Sequence, residues 1–330
     1  MASSPDATPA GPGPPDYGRW TAGPLLGQGR LGRVHLAHDE EGRAAALRVV
    51  HPSLARDQEF RARLGREVRA LGAVRGRRVA ALIDADPHGA APWLATEYVE
   101  GPTLAARVRG PDGPLGTPEL RALASALAGA LDDVHRAGLV HGDLRPSHVL
   151  LGADGPRVTG FGVCGCVERA EEMGAACGCG TPGYMAPERR AAPRGEVRPP
   201  SDVFSLGAVL AFAATGRDPF AAGGEDPGPT ERVAADPGPA GVPAELLPLV
   251  TACLARHPTA RPAPRTVARM AGLPLPGSRR RALTLAATLT LADTLALAGG
   301  LTLTSTLILP QLAAAACPLG GRWASRTGVR

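Results

Sequence analysis

The apolar pattern changes period along the chain. Short alternating segments at Val34–Leu36 and Ala44–Val50 are followed by helical-period runs at Asp57–Leu71 and Glu119–Ala137. Strands first and helices afterwards predict an α+β architecture, a small mostly-β part followed by a larger mostly-α part. The longer helix has a clear start signal, with Thr117 placed to cap it and Pro118 suited to the first helical position. With 330 residues, 44% of them hydrophobic, the chain is long enough to bury a full core.

Composition excludes some chemistry at once. There is no lysine and no asparagine, so all 36 basic residues are arginine. A guanidinium stays protonated and cannot act as a base or form a Schiff base. The formal net charge of +5 sits wholly from Arg279 onward, where six arginines stand against one acid, Asp293. A neutral body with a basic tail does not suit nucleic acid, and points to membrane topology instead.

Residues 1–16 are Pro- and Gly-rich without hydrophobic period and are expected to be disordered. Ala221 to Gly241 reads as a long surface loop. A basic linker at 271–281 precedes Ala282 to Leu309, which has no Arg, Glu or Lys and exceeds the ~20 residues a membrane helix requires. The positive-inside rule then puts the body in the cytoplasm and the tail, 310–330, outside. A cytoplasmic chain remains the alternative, since Asp293 falls mid-segment and Leu-Thr alternation has a strand period.

The motifs follow in order. Gly27-Gln28-Gly29-Arg30-Leu31-Gly32-Arg33-Val34 follows one predicted strand and opens another, and glycines there let backbone approach phosphate closely. Next come Ala46-Leu47-Arg48 on a strand and Glu67 on a helix. After these stand His141-Gly142-Asp143, Gly160-Phe161-Gly162, Gly180-Thr181-Pro182-Gly183-Tyr184, Ala186-Pro187-Glu188, Asp202 and Arg261-Pro262. The series resembles bacterial, actinobacterial-type serine/threonine protein kinases from Tyr17 to Met270. The resemblance implies a two-lobed fold, with a small lobe over about 17–97 and a large lobe over about 98–270.

It also implies roles. Gly27, Gly29 and Gly32 match the phosphate loop, Val34, Ala46 and Leu150 the residues that sandwich adenine, and Glu97 and Val99 the hinge. Leu71, His141 and Phe161 match the apolar spine between the lobes, and Glu188 and Arg261 an ion pair bracing the activation segment. Family members transfer phosphate with a strand lysine, a catalytic-loop asparagine and the metal-binding Asp of Asp-Phe-Gly. Here those positions read Arg48, His148 and Gly160, and Arg145 replaces the catalytic-loop lysine. Of these catalytic groups Asp143, the base, is retained. Glycine offers no side chain to a hard cation that wants carboxylate oxygen, and a histidine nitrogen suits zinc or nickel better than magnesium.

Arg48, Arg145 and His148 could follow from a composition without lysine or asparagine, but Gly160 does not, because aspartate is plentiful. Between Gly162 and Thr181 there is no Ser, Thr or Tyr to phosphorylate, and Gly142 replaces the arginine that greets a phosphorylated loop. The expectation is therefore a membrane-tethered pseudokinase that works through a protein partner, such as an active kinase or its substrate. ATP is its candidate ligand, with magnesium binding lost or weak. Three readings stay open beside it: a weakly active kinase using Asp143, a decaying gene product, and a thiol or metal sensor. The last would use Cys164, Cys166, Cys177 and Cys179, although Cys-x-Cys is one residue short of the usual zinc spacing.

Overall fold

The computed structural model describes residues 16–29, 31–160, 182–191, 197–219 and 241–272. The stretches expected to be a disordered N-terminus, a long loop after Ala221 and a membrane segment at 282–309 fall outside these, apart from Asp16 and Gly241 at their edges. Among the described residues no helix is long and apolar enough to cross a membrane.

The N-terminal part is an antiparallel sheet of five strands, β1 (Thr21–Gly29), β2 (Gly32–His38), β3 (Ala44–Val50), β4 (Leu82–Asp86) and β5 (Trp93–Glu97), in the order β1-β2-β3-β5-β4. Alternation along β3 sends Ala45 and Leu47 to one face, where they pack with Trp20, Trp93 and Ala95. Ala46, Arg48 and Val50 take the other face. There Val50 and Leu94 join Phe60 and Leu64 from helix α2 (Gln58–Ala73). Asp57 caps α2, its carboxylate accepting from the Glu59 and Phe60 amides at 2.8 and 3.3 Å. A one-turn helix, α1 (Pro52–Ala55), leads into it.

The C-terminal part is helical. It contains α3 (Leu104–Arg109), α4 (Thr117–Arg136), α5 (Pro187–Ala191), α6 (Pro199–Thr215), α7 (Leu247–Cys253) and α8 (Pro264–Met270), with a two-stranded ribbon, β6 (Val149–Gly152) and β7 (Gly155–Val158). The start of α4 differs from the expectation. Gly116, not Thr117, holds the cap position and Pro118 is the second helical residue, with the Glu119 carboxylate reaching back to accept from the Gly116 amide at 3.0 Å. Helix α6 is buried on every side from Ser201 to Ala213 and lies inside the main core, packed by α4 and α7. Cys253 is fully buried against it, and burial pushes its thiol up to about 12, so it is an inert core residue.

Glu188 and Arg261 form the bidentate pair expected of them, at 2.6 and 2.7 Å, with the Arg261 side chain wholly buried. Burial would raise the Glu188 carboxyl, but the Arg261 hydrogen bonds and charge hold it below its ordinary value.

Candidate active-site cleft

Register places the expected nucleotide-binding side chains together. Arg48 lies between Val34 and Leu94, and Ala46 between Leu36 and Thr96, so Val34, Ala46, Arg48 and Thr96 share the sheet face that α2 partly covers. Glu67 projects from α2, one turn beyond Leu64. Thr96 escaped sequence reasoning. Its signal was its place one residue before the expected hinge position Glu97, opposite Ala46.

The three glycines of the β1–β2 hairpin differ in what they do. A Cβ on Gly27 or Gly29 would meet nothing within 4 Å, so the protein's own packing does not explain them. Gly32 has φ +143°, and a Cβ there would overlap the Val49 carbonyl oxygen. Gly32 therefore serves the fold, whereas Gly27 and Gly29 keep open backbone that a phosphate could approach.

Across the hinge, the Arg157 guanidinium of β7 donates to both Glu97 oxygens, at 2.9 and 2.8 Å. The pair is separated by 60 residues and ties the end of β5 to the ribbon. Glu97 is partly exposed, so Glu97→Gln should cost no more than about 1 kcal/mol in urea denaturation. A larger loss would mean that this tie carries much of the stability of the hinge.

The catalytic-loop segment is suspended from Asp202 of α6. Its Oδ2 accepts from the His141 amide and from His135 Nε2, both at 2.8 Å, and its Oδ1 accepts from the Gly142 amide at 2.8 Å. His141 is buried, accepts from the Asp143 amide at 3.2 Å and donates from Nε2 to the Thr159 carbonyl at 3.0 Å. Leu71 is buried in the main core.

The loop then brings Asp143, Arg145, His148 and Gly160 together. His148 donates from Nδ1 to the Asp143 carbonyl at 2.7 Å and accepts at Nε2 from Arg145 Nη2 at 3.2 Å. The Asp143 carboxylate stands 3.4 Å from Arg145 Nε and 3.5 Å from His148 Nδ1. The His148 and His141 rings stack at 6.0 Å. Gly160 has φ +82°, and a Cβ there would come within 3.1 Å of the His148 ring. The imidazole thus occupies the space beside Gly160 into which a longer side chain would extend. Sequence reasoning named both residues but had no means of seeing that they touch.

Burial, then the charges of Arg145, His141 and Arg48, hold His148 well below the usual histidine range, against the opposing hydrogen bond to Asp143. Its neutral form agrees with an Nε2 that accepts from Arg145. The folded chain thus resists protonation at His148, while the unfolded chain takes up a proton as pH falls below about 6.5. The associated stability is present above that pH and lost below it. Between pH 7 and 5, wild type should lose stability more steeply than His148→Gln, by up to about 1.4 kcal/mol per pH unit. Parallel slopes in denaturant titrations would contradict the assignment.

Phe161 and the four loop cysteines lie outside the described residues. Among the described residues no cluster of three or more His, Cys, Asp or Glu could hold a metal ion.

A five-stranded small lobe, a helical large lobe and a cleft between them bearing a glycine hairpin, a hinge and an Asp-anchored loop define the protein kinase fold. Residues 20–271 match the protein kinase domain model, and the chain belongs to that family. Its relatives include the serine/threonine-protein kinase AfsK of Streptomyces coelicolor, 46% identical over 241 residues, which cover 72% of this chain and 30% of AfsK. PkwA of Thermomonospora curvata, a probable serine/threonine-protein kinase, is 43% identical over 72% of this chain and 32% of its own. The chain therefore spans about a third of the length of these relatives. Among solved structures, the Mycobacterium tuberculosis PknI kinase domain superposes with a TM-score of 0.60 at 26% identity, covering 77% of this chain and 96% of that one. The family as a whole uses ATP and magnesium to phosphorylate proteins.

Proposed function

We propose that the chain is a serine/threonine protein kinase homologue whose phosphotransfer chemistry is lost and which acts by binding a protein partner. The observation that carries this reading is the pairing of His148 with Gly160. Magnesium needs oxygen donors at close to octahedral positions. Gly160 has no side-chain oxygen to supply, and both ring nitrogens of His148 are engaged within the loop. Asp143 does supply a carboxylate, but with a guanidinium 3.4 Å away. This donor set does not fit the ion.

Charge neutralisation by metal is most of what such a site contributes to phosphoryl transfer, and losing one preorganised electrostatic contact costs ~10²–10³ in rate. The test is transfer of labelled phosphate from ATP to protein substrates across Mg²⁺ and Mn²⁺. Turnover should be no greater than that of Asp143→Ala. Metal-dependent turnover abolished by Asp143→Ala would establish the second reading instead, a weakly active kinase, which the retention of Asp143 on an anchored loop supports.

Tethering through Ala282 to Leu309, with the kinase-like body on the cytoplasmic side, belongs to the same proposal and rests on sequence. The full chain should sediment with membranes and a chain ending before Arg279 should not. Equal solubility of the two would remove the tether.

A further inference from the structure

We infer that the outer face of α2 and the loop that follows it form a docking surface for an acidic, Asp- and Glu-rich segment of a partner protein. The inference rests on the proposal that the chain acts by binding a protein partner, and it names the chemistry of that partner.

The first observation is a local break in charge balance. From Arg66 to Ile83 there are five arginines, Arg66, Arg69, Arg75, Arg77 and Arg78, and one acid, Glu67. The chain before Arg279 is neutral in sum, so this stretch is a concentrated positive patch on a neutral body. Glu67 does not offset the arginines where they stand. It lies on the inner side of α2, a turn from the buried Leu64 and Leu71, whereas Arg66 and Arg69 are exposed on the outer side.

The structure joins the five into one strip. Arg66, Arg69 and Gly72 follow at three-residue spacing along α2, a row about 9 Å long. Arg75 folds back onto the end of that row, donating from Nη1 to the Gly72 carbonyl at 2.6 Å. Arg77 is exposed beyond it. Arg78 reaches across to the β6–β7 turn, where Nη1 donates to the Asp154 carbonyl at 2.9 Å and lies over Gly155. Burial, then the charges of Arg157 and Arg77, hold the Arg78 guanidinium below its ordinary value, as crowding of like charge requires.

The third observation is the lack of internal compensation. Elsewhere many arginines are matched, as Arg43 is by Asp39, Arg107 by Asp112 and Glu119, Arg121 by Glu245 and Arg265 by Asp132. Among the described residues no carboxylate forms an ion pair with any of the five arginines of the strip. The hydrogen bonds of Arg75 and Arg78 go to backbone carbonyls, which leave the charge in place. The neighbouring acids are engaged with other arginines. Asp133, whose carboxylate faces Gly76, pairs with Arg136 at 3.0 Å, and Asp154 stands 3.6 Å from Arg157.

The chemistry of the strip selects its occupant. Guanidinium groups match carboxylates through two parallel hydrogen bonds. The large apolar side chains exposed among the described residues are Leu25, Leu26 and Met270, none of them on the strip, so recognition there is by charge. No aromatic residue lies between Arg66 and Ile83 for bases to stack on. Arg78 is partly buried against the ribbon, where a chain following the strip can reach it, whereas a flat lipid surface meets the exposed Arg66 and Arg69 first.

The experiment is fluorescence anisotropy of a fluorescein-labelled oligoglutamate peptide titrated with the full chain in a non-ionic detergent. Replacing Arg66, Arg69 and Arg77 together by Ala should weaken binding about tenfold or more, and replacing Arg217, Arg256 and Arg269 together by Ala, an equal loss of charge elsewhere, by less than about threefold. All six side chains are exposed, so both triple variants should keep a Tm close to that of wild type, which separates lost binding from lost folding. Affinity should also fall as ionic strength rises from about 0.01 M to about 0.15 M and the Debye length shortens from about 30 Å to about 8 Å.

Equal losses in the two triple variants, insensitivity to salt, or no binding of the peptide by wild type would each overturn the inference. So would tighter binding, lost in the first triple variant, to phosphatidylserine vesicles or to duplex DNA than to the peptide, since the strip would then serve a membrane or a nucleic acid. None of these results touches the loss of phosphotransfer, which is read in the separate labelled-phosphate assay. Turnover in that assay would overturn the functional reading and leave the peptide measurement standing.

Discussion

Asp202→Ala is expected to remove most of the folding stability of this domain. Asp202 is 0% exposed, and its two oxygens accept from three groups, the His141 and Gly142 amides and His135 Nε2. Alanine leaves two backbone N–H groups and an imidazole N–H without acceptors in the core, at about 1–3 kcal/mol each. The sum, roughly 3–9 kcal/mol, approaches the whole stability of many domains. Urea denaturation should show a midpoint shift of that size with little change in slope. Asp202→Asn should lose less, because one carbonyl oxygen remains to accept. A loss under about 1 kcal/mol for alanine would mean that the loop carrying Asp143 is held by something else. If the variant does fold, its looser loop should also raise proton exchange at the His141 and Gly142 amides.

Gly32→Ala should be as damaging, by a different route. At φ +143° the backbone is in a region that side chains avoid, and the new Cβ would overlap the Val49 carbonyl oxygen and lie 2.9 Å from the His51 nitrogen. Both neighbours are backbone: Val49 lies in β3, whose Val50 faces Gly32, and His51 follows the strand. The strand pair must therefore part, and a loss above about 4 kcal/mol is expected. Gly27→Ala and Gly29→Ala meet nothing within 4 Å and should change stability by less than about 1 kcal/mol. Their effect should appear in nucleotide affinity, where a methyl group occupies the space a phosphate would approach. Equal destabilisation by all three substitutions would refute the division of labour between them.

Much of the fold was readable from local pattern. The alternation at Ala44–Val50 and the helical run from Asp57 became β3 and α2 with almost unchanged bounds. These features depend on residues within a turn or two of one another, so chain-local chemistry determines them. The start of α4 was misread by a single residue, because the Glu119 carboxylate reaches back to the Gly116 amide, a contact that the cap preference of Thr117 does not reveal. The ion pair of Glu188 and Arg261, 73 residues apart, came from family resemblance and not from pattern.

The cleft divides in the same way. The sequence by itself determined which residue types stand at the chemical positions: no lysine anywhere, Arg48, Arg145, His148 and Gly160, and a retained Asp143. It also determined that the chain is a kinase relative, since the order of the motifs is a property of the chain. Only the tertiary structure decided that His148 packs on Gly160, that its ring is held neutral between Asp143 and Arg145, and that Arg157 grips Glu97 across the hinge. The reason is physical. Those contacts join residues brought together by strand register and by the anchoring of the loop on Asp202, and no local period or spacing records which distant side chains will share one desolvated space.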